Sequence, residues 1–350
     1  MGANDELVYV GGYTGEKGGE AEGISLLRRD PTSGVLTRLG VAARTPSPSF
    51  LAQHPTLPIL YAVNELDSDG TISAFTVAED GELSPLSVQP TGGADPAHLS
   101  VTADGRFLLV ANYSSGSVAV HPLDPEGAPG ERSDLLDLEG AGPDPERQRG
   151  SHAHMVIADR GSVLVADLGA DRVWRARLDP VSGRLVMLAP AVTAKPGTGP
   201  RHLRLAPHGT MLLVGELGAN LSWYRPASDG SLELAGEAPS STEDGTTYPS
   251  ELVMGPDGRF VYVANRGPNT VSAFEWDGER ATPIAEVPTG GDWPRHMILL
   301  GDHLYVANER SHNVTTFRID PDSGVPEPQG EPTAEASPTC LLRWTSMTVR

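Results

Sequence analysis

A chain of 350 residues with a net charge of −20 at neutral pH and a single cysteine excludes several classes of protein at once. Nucleic acid and anionic membrane both demand a basic face, no apolar run reaches the roughly 18 residues a membrane helix needs, and one thiol cannot make an internal disulfide. Forty Gly and 31 Pro are turn chemistry here, not a mark of disorder.

Taken in chain order, Met1-Gly2-Ala3-Asn4-Asp5-Glu6 lacks the basic and apolar regions of a signal peptide, so residues 1–6 read as an extension. With the lone thiol, that makes a cytoplasmic location the expectation. Residues 7–10 read as a second strand with no first strand before them. From there a pattern recurs seven times, at Pro48-Ser49-Phe50, Pro96-Ala97-His98, His152-Ala153-His154, Pro200-Arg201-His202, Pro249-Ser250-Glu251, Pro294-Arg295-His296 and Pro338-Thr339-Cys340. The third residues are separated by 48, 56, 48, 49, 45 and 44 positions.

Each copy carries the same grammar, plainest in the second: His98-Leu99-Ser100-Val101, the turn Ala103-Asp104-Gly105, then Phe107-Leu108-Leu109-Val110-Ala111-Asn112. Apolar runs of this length split by Asp-Gly are hairpin signals. The hairpin recurs around Asp159-Arg160-Gly161, Pro207-His208-Gly209 and Pro256-Asp257-Gly258. A third strand follows, as in Thr270-Val271-Ser272-Ala273-Phe274, then an outer turn such as Asp179-Pro180-Val181-Ser182-Gly183 and a weaker fourth strand. Residues 339–344 read as a first strand with nothing after it, and joined to residues 7–10 they complete one blade. The expected fold is all-β, a seven-bladed β-propeller of four-stranded antiparallel blades closed by its N- and C-terminal strands. One domain spans 7–344, with a tail at 345–350.

If a first strand starts at the top of its blade, the second returns there, so the opening residue and the residue ending strand two share a face. The openings read Phe50, His98, His154, His202, Glu251, His296 and Cys340; the second-strand ends read Asn64, Asn112, Asp167, Glu216, Asn265 and Asn308. Arg201, Arg266 and Arg295 join them, so a ring of His, Asn, carboxylate and Arg is expected at the central mouth. Plainer readings stand beside this one. Asn or Asp before a turn caps its own backbone, and a blade-opening histidine braces strands. Glu216 is set apart because it replaces the usual Asn after the apolar run Leu212-Leu213-Val214-Gly215, where a lone carboxylate is paired with arginine, catalytic, or both.

The long connection at 139–151, containing Asp144-Pro145-Glu146-Arg147-Gln148-Arg149, reads as a lid or substrate contact beside His152-Ala153-His154. Residues i and i+2 of a strand share a face, so both His152 and His154 are expected at the mouth. No carboxylate or cysteine set completes a metal site around them, and no metal or other cofactor is expected. The chain has no Gly-x-Ser-x-Gly elbow, phosphate loop or dinucleotide fingerprint. Cys340, beside Leu341 and Leu342, reads as core.

Arg147-Gln148 followed by His152-Ala153-His154, then Gly199-Pro200-Arg201-His202-Leu203, Gly215-Glu216-Leu217, Ser250-Glu251 and Asn265-Arg266-Gly267, together resemble the lactonase-type seven-bladed propellers over essentially residues 7–344. That family includes propeller-type 6-phosphogluconolactonases and carboxymuconate-lactonizing enzymes. The resemblance implies catalytic roles for His154, Arg201, Glu216 and Arg266; the ring at the mouth and the loop beside it make His98, Asn112, Arg147, His152, His202, Glu251, Asn265, Arg295 and His296 the expected substrate contacts.

The function this implies is hydrolysis of a small anionic sugar lactone, 6-phosphogluconolactone first. Either Glu216 or His154 serves as base, while Arg201 and Arg266 bind the phosphate and polarise the carbonyl. A lactonizing reaction on a muconate-like dicarboxylate, or a non-enzymatic binding platform, are the alternatives. The platform would expose aromatic and aliphatic surface rather than this polar ring. A monomer or weak homo-oligomer is expected, with no nucleic-acid or membrane partner.

Overall fold

The computed structural model describes residues 6–159, 161–228 and 231–345. Seven antiparallel sheets are arranged as blades, and the expected closure is present: the strand Pro338–Arg343 pairs with Glu6–Gly12, with Tyr9 opposite Leu342. Glu6, expected in the extension, belongs to this sheet and bridges Arg29 and Arg343. Residues 1–5 and 346–350 of the expected extension and tail, and Arg160 of one expected turn, lie outside the described residues. The only helical pieces among the described residues are two 3-10 turns, Gly15–Lys17 and Pro207–Gly209.

The innermost strands, Phe50–Gln53, Pro96–Val101, Ala153–Asp159, Pro200–Leu205, Tyr248–Met254, Pro294–Leu300 and Pro338–Arg343, touch one another in a closed circle around the central channel. The fourth strands are the weak ones. In two blades the fourth is broken into Leu185–Met187 with Val192–Thr193, and Pro326–Pro328 with Thr333–Ala334.

Apolar side chains from facing sheets fill each gap between blades, giving seven separate clusters rather than one core. One interface holds Leu109, Val118 and Val120 against Val156, Val163 and Trp174. Buried tyrosines add a repeated tie to the next blade. Tyr9, Tyr61, Tyr262 and Tyr305 donate to the carbonyls of Gly81, Gly127, Gly324 and Gly34, each in the next blade's outer turn. The last spans the closure, so the ring is held by side chains as well as by strand pairing.

The inner strands are not regular. Pairing slips between Pro96 and His98, Ala153 and Met155, Pro200 and Leu203, Pro249 and Leu252, and Pro294 and His296. Bulges of this kind break the strict two-residue alternation and re-aim side chains. Consecutive residues such as Arg201-His202 and Arg295-His296 thereby both reach the axis, at different levels.

Candidate active site

Two rings of side chains stand where the second strands end, one residue apart in sequence. Asn64, Asn112, Asp167, Asn265 and Asn308 each pair with the first residue of the following strand, and in the fifth blade Gly215 holds that place, opposite Asn220. The sequence reading set Glu216 in this ring; strand register puts it one step further on. A side chain at 215 has no room, since a Cβ there would sit 2.2 Å from Asn220 Oδ1. The second ring is Tyr13, Glu65, Tyr113, Leu168, Glu216, Arg266 and Glu309, and it forms the mouth.

The Asn ring is structural, which corrects the substrate role expected of Asn112 and Asn265. Both are fully buried. Asn265 Nδ2 donates to Ser240 O at 2.9 Å and to Ser272, while Asn112 Nδ2 donates to Ser117 Oγ at 3.1 Å. Asp167 does similar work, accepting from the His152 and Gly169 backbones and from Trp174 Nε1. These side chains tie strands and loops together, and of the three Asp167, accepting from the Gly169 and Ala170 N–H groups, caps its own turn as the capping alternative has it.

Glu216 is the centre of the mouth. Arg147 Nη2 meets its Oε1 at 2.7 Å, and Arg201 Nη1 and Arg266 Nη2 meet its Oε2 at 2.7 and 2.8 Å. Burial opposes ionisation, but Arg266, Arg201 and Arg147 overcome it and hold the carboxyl well below the usual carboxylate range. Arg201 is itself pushed down to about 9 by burial and by Arg266, so it stays a cation at neutral pH. Arg266 anchors through Nε to Tyr248 O, but its buried Nη2 makes no hydrogen bond along an N–H direction. It is held to Glu216 by charge, without the directed hydrogen bonds that Arg147 and Arg201 make.

Arg201 Nη1 also donates to His154 Nε2. A guanidinium can only donate, so the imidazole lone pair is at Nε2 and the proton at Nδ1, which has no partner. Burial first, then Arg201, His202, Arg295 and Arg266, push His154 well below the ordinary histidine value. It is a neutral imidazole beside three guanidinium groups.

The loop expected as a lid supplies Arg147. Gln148 is fully buried and ties the loop down through Leu168 O and Asp171 Oδ1, which leaves Arg147 aimed at Glu216 and the Tyr113 hydroxyl. His152 stacks on the Tyr113 ring at 4.7 Å and His154 meets it edge-on at 5.6 Å, so both histidines border the mouth as expected. Arg295 lies there too, engaged with Glu309, Glu65 and the Tyr13 hydroxyl.

His98, His202, Glu251 and His296 correct the expectation differently. They come together, but one level down, as a seal across the channel with Phe50 at its middle. Phe50 lies 4.1 Å from His98, 6.2 Å from His202 and 5.6 Å from His296, ring to ring. Glu251 Oε2 takes His202 Nδ1 at 3.0 Å and His296 Nε2 at 3.2 Å, while His296 Nδ1 accepts Leu341 N–H. Glu251, His202 and His296 bond to one another and His98 packs against Phe50 and His202, so the four form the site's floor and not its mouth. Burial pushes all three histidines down, His296 to about 4. Cys340 is core, its thiol pushed up by burial.

Sequence reasoning passed over Tyr13, Tyr113, Trp293 and Arg310. The first two were findable, because each follows the residue that ends a second strand, the position Glu216 and Arg266 also occupy.

Comparison with known proteins shows the family. The model of the family described as lactonase, 7-bladed beta-propeller matches residues 7–343. A 6-phosphogluconolactonase of Bacillus subtilis is 31% identical over 90% of this chain and 92% of its own. One of Formosa agariphila is 29% identical over 91% and 93%. The structure of a periplasmic gluconolactonase of Pseudomonas aeruginosa superposes with a TM-score of 0.90 at 28% identity, covering 98% of this chain and 99% of that one.

Proposed function

This chain belongs to the seven-bladed β-propeller lactonases, and we propose that it hydrolyses the lactone of a phosphorylated aldonic acid, 6-phosphogluconolactone. The observation that carries the reading is Glu216 clamped by Arg147, Arg201 and Arg266 beside a neutral, incompletely bonded His154. That set has a cationic field for an anionic substrate, guanidinium donors for a developing oxyanion, and a group able to move a proton.

In this reading His154 is the proton carrier and Glu216 the anchor of the arginines. Both oxygens of Glu216 are occupied and its proton affinity is low, which makes it the poorer base. Water adds to the lactone carbonyl as Arg201 Nη1 shifts from His154 Nε2 to the developing oxyanion, which frees the Nε2 lone pair to take the water's proton. Arg266 and Arg201 stabilise the tetrahedral oxyanion, and the bond from carbonyl carbon to ring oxygen then breaks. The imidazolium, disfavoured by the surrounding arginines, readily returns its proton to the departing oxygen. The anionic substrate weakens the cationic field around His154 on binding, which raises its basicity when it is needed.

With three guanidinium groups already around Glu216, a metal ion would be repelled, so the reaction is proposed to be metal-independent. Hydrolysis is tested by acid release from freshly generated 6-phosphogluconolactone, with and without chelator, against the spontaneous rate. Acceleration that survives chelation and collapses in Arg201→Ala supports the reading; no acceleration overturns it. Cell fractionation decides between the expected cytoplasmic location and a periplasmic one.

A further inference from the structure

Outside the Glu216 cluster, the mouth holds a second cation with no carboxylate partner. The exposed Arg310 stacks its guanidinium 3.5 Å above the Trp293 ring, and among the described residues its side chain makes no hydrogen bond or ion pair. The same indole lies 5.5 Å from the guanidinium of Arg266, and its own N–H is unbonded among those residues. Arg310 and Arg266 therefore cannot be farther apart than those two distances together, a span bridged by a six-membered lactone with a charged group on its exocyclic arm.

The backbone at Trp293 points the same way. Each blade-opening proline at 48, 96, 200, 294 and 338 is preceded by a residue of left-handed backbone, and four of the five are Ser47, Asp95, Gly199 and Ser337. Trp293 holds φ at 64°, where a bulky side chain is strained. Its N–H is fixed by Asn269 Oδ1 at 2.8 Å, and its carbonyl accepts from Glu309 N. Strain kept by surrounding structure clusters at ligand clamps. Here it places one aromatic face between two arginines.

We infer that Trp293 and Arg310 form the subsite for the substrate's phosphate, leaving Arg266 and Arg201 for the lactone carbonyl. This rests on the lactonase reading above. The mouth also carries an excess of positive charge for an anionic arm. The mouth arginines are Arg147, Arg201, Arg266, Arg295 and Arg310, and the carboxylates in ion-pair contact with them are Glu216, Glu65 and Glu309. Asp292, next to Trp293, accepts from Asn269 Nδ2 and forms no ion pair among the described residues. With Asp292 counted, five arginines against four carboxylates leave one positive charge in excess, which suits an anionic arm such as a phosphate monoester. Arg201 Nη1 is committed to Glu216 and His154, whereas Arg310 has its N–H donors free for phosphate oxygens.

The test is the ratio of kcat/KM for 6-phosphogluconolactone to that for unphosphorylated glucono-δ-lactone, in the native protein, Arg310→Ala and Trp293→Ser. The ratio is expected to fall roughly 10- to 100-fold in Arg310→Ala through KM, the loss of one charged hydrogen-bonding group. In Trp293→Ser, which installs the residue used in two other blades, it falls in the same direction. Unchanged ratios in both folded variants overturn the subsite while leaving lactone hydrolysis intact. If the native protein hydrolyses neither lactone, the functional reading is what fails. Calorimetric binding of 6-phosphogluconate against gluconate then judges the subsite directly: preference lost in Arg310→Ala upholds it, and no preference in the native protein overturns it.

Discussion

Arg201 and His202 are neighbours in the chain, as are Arg295 and His296, yet the first of each pair serves the mouth and the second the seal. Each layer is centred on a buried carboxylate beside basic side chains. Glu216 is met at hydrogen-bond distance by three arginines, charged at neutral pH, whereas Glu251 is met there by His202 and His296, which burial keeps from gaining charge freely, with Arg204 no nearer than 3.9 Å. The same strands at the same bulges thus produce a strongly cationic field above and a hydrogen-bonded plug below. The difference teaches that a buried carboxylate takes its role from the kind of base facing it, and that arginine marks the layer meant for an anion.

The sharpest break of that comparison would come from Arg201→Ala in the mouth. Loss of about 10³ in kcat is expected, the scale of removing one positive donor from an oxyanion site, with the fold intact by circular dichroism. In the seal, Glu251→Ala is expected to cost about 3 kcal/mol of stability, because partners of a buried pair are left unsatisfied. Its folded fraction should keep most of its turnover. Denaturant unfolding and active-site titration together check this, and turnover loss as severe as that of Arg201→Ala would erase the boundary between layers.

His154→Ala is expected to lower kcat by roughly 10², the lower range for a lost proton carrier. The native kcat/KM, which reports the free protein, should also stay flat as pH falls through 6.5, since His154 there protonates only well below that value. An acid limb centred at 6.5 would point to a different base.

The smallest effect is on stability against pH. His296 has a folded value of about 4 against 6.5 when unfolded, so the unfolded chain takes up its proton first as pH falls. The stability is therefore complete above 6.5 and drains away between 6.5 and about 4, by about 1 kcal/mol in the first pH unit. His98, His154 and His202, also depressed, add in the same direction. Thermal melts from pH 7.5 to 4.5 should show melting temperature falling on the acid side, and a flat profile would mean that the seal is not kept neutral.

Much of this was legible beforehand. The repeat spacing and Asp-Gly turns announced blades, because turn chemistry and strand periodicity are local properties. His154, Arg201, Glu216, Arg266 and Arg147 were named in advance, and the structure brings these five together. What misled was the assumption that the blade openings and the strand-two ends form one ring. Asn112 and Asn265 were grouped with Glu216 because each follows an apolar run; only the pairing of Gly215 with Asn220 reveals the offset of one residue. Trp293 and Arg310 carried no pattern of their own, since they meet by folding and not by spacing.

By itself, then, the sequence determined the blade count, the closure by residues from both ends and the chemical types gathered near the axis, all of which follow from local turn signals and alternation. The tertiary structure decided which layer each side chain joined. That depended on the bulges in the inner strands, and a bulge is settled by how a strand pairs and packs in the ring, a competition among distant contacts that no short stretch of sequence contains.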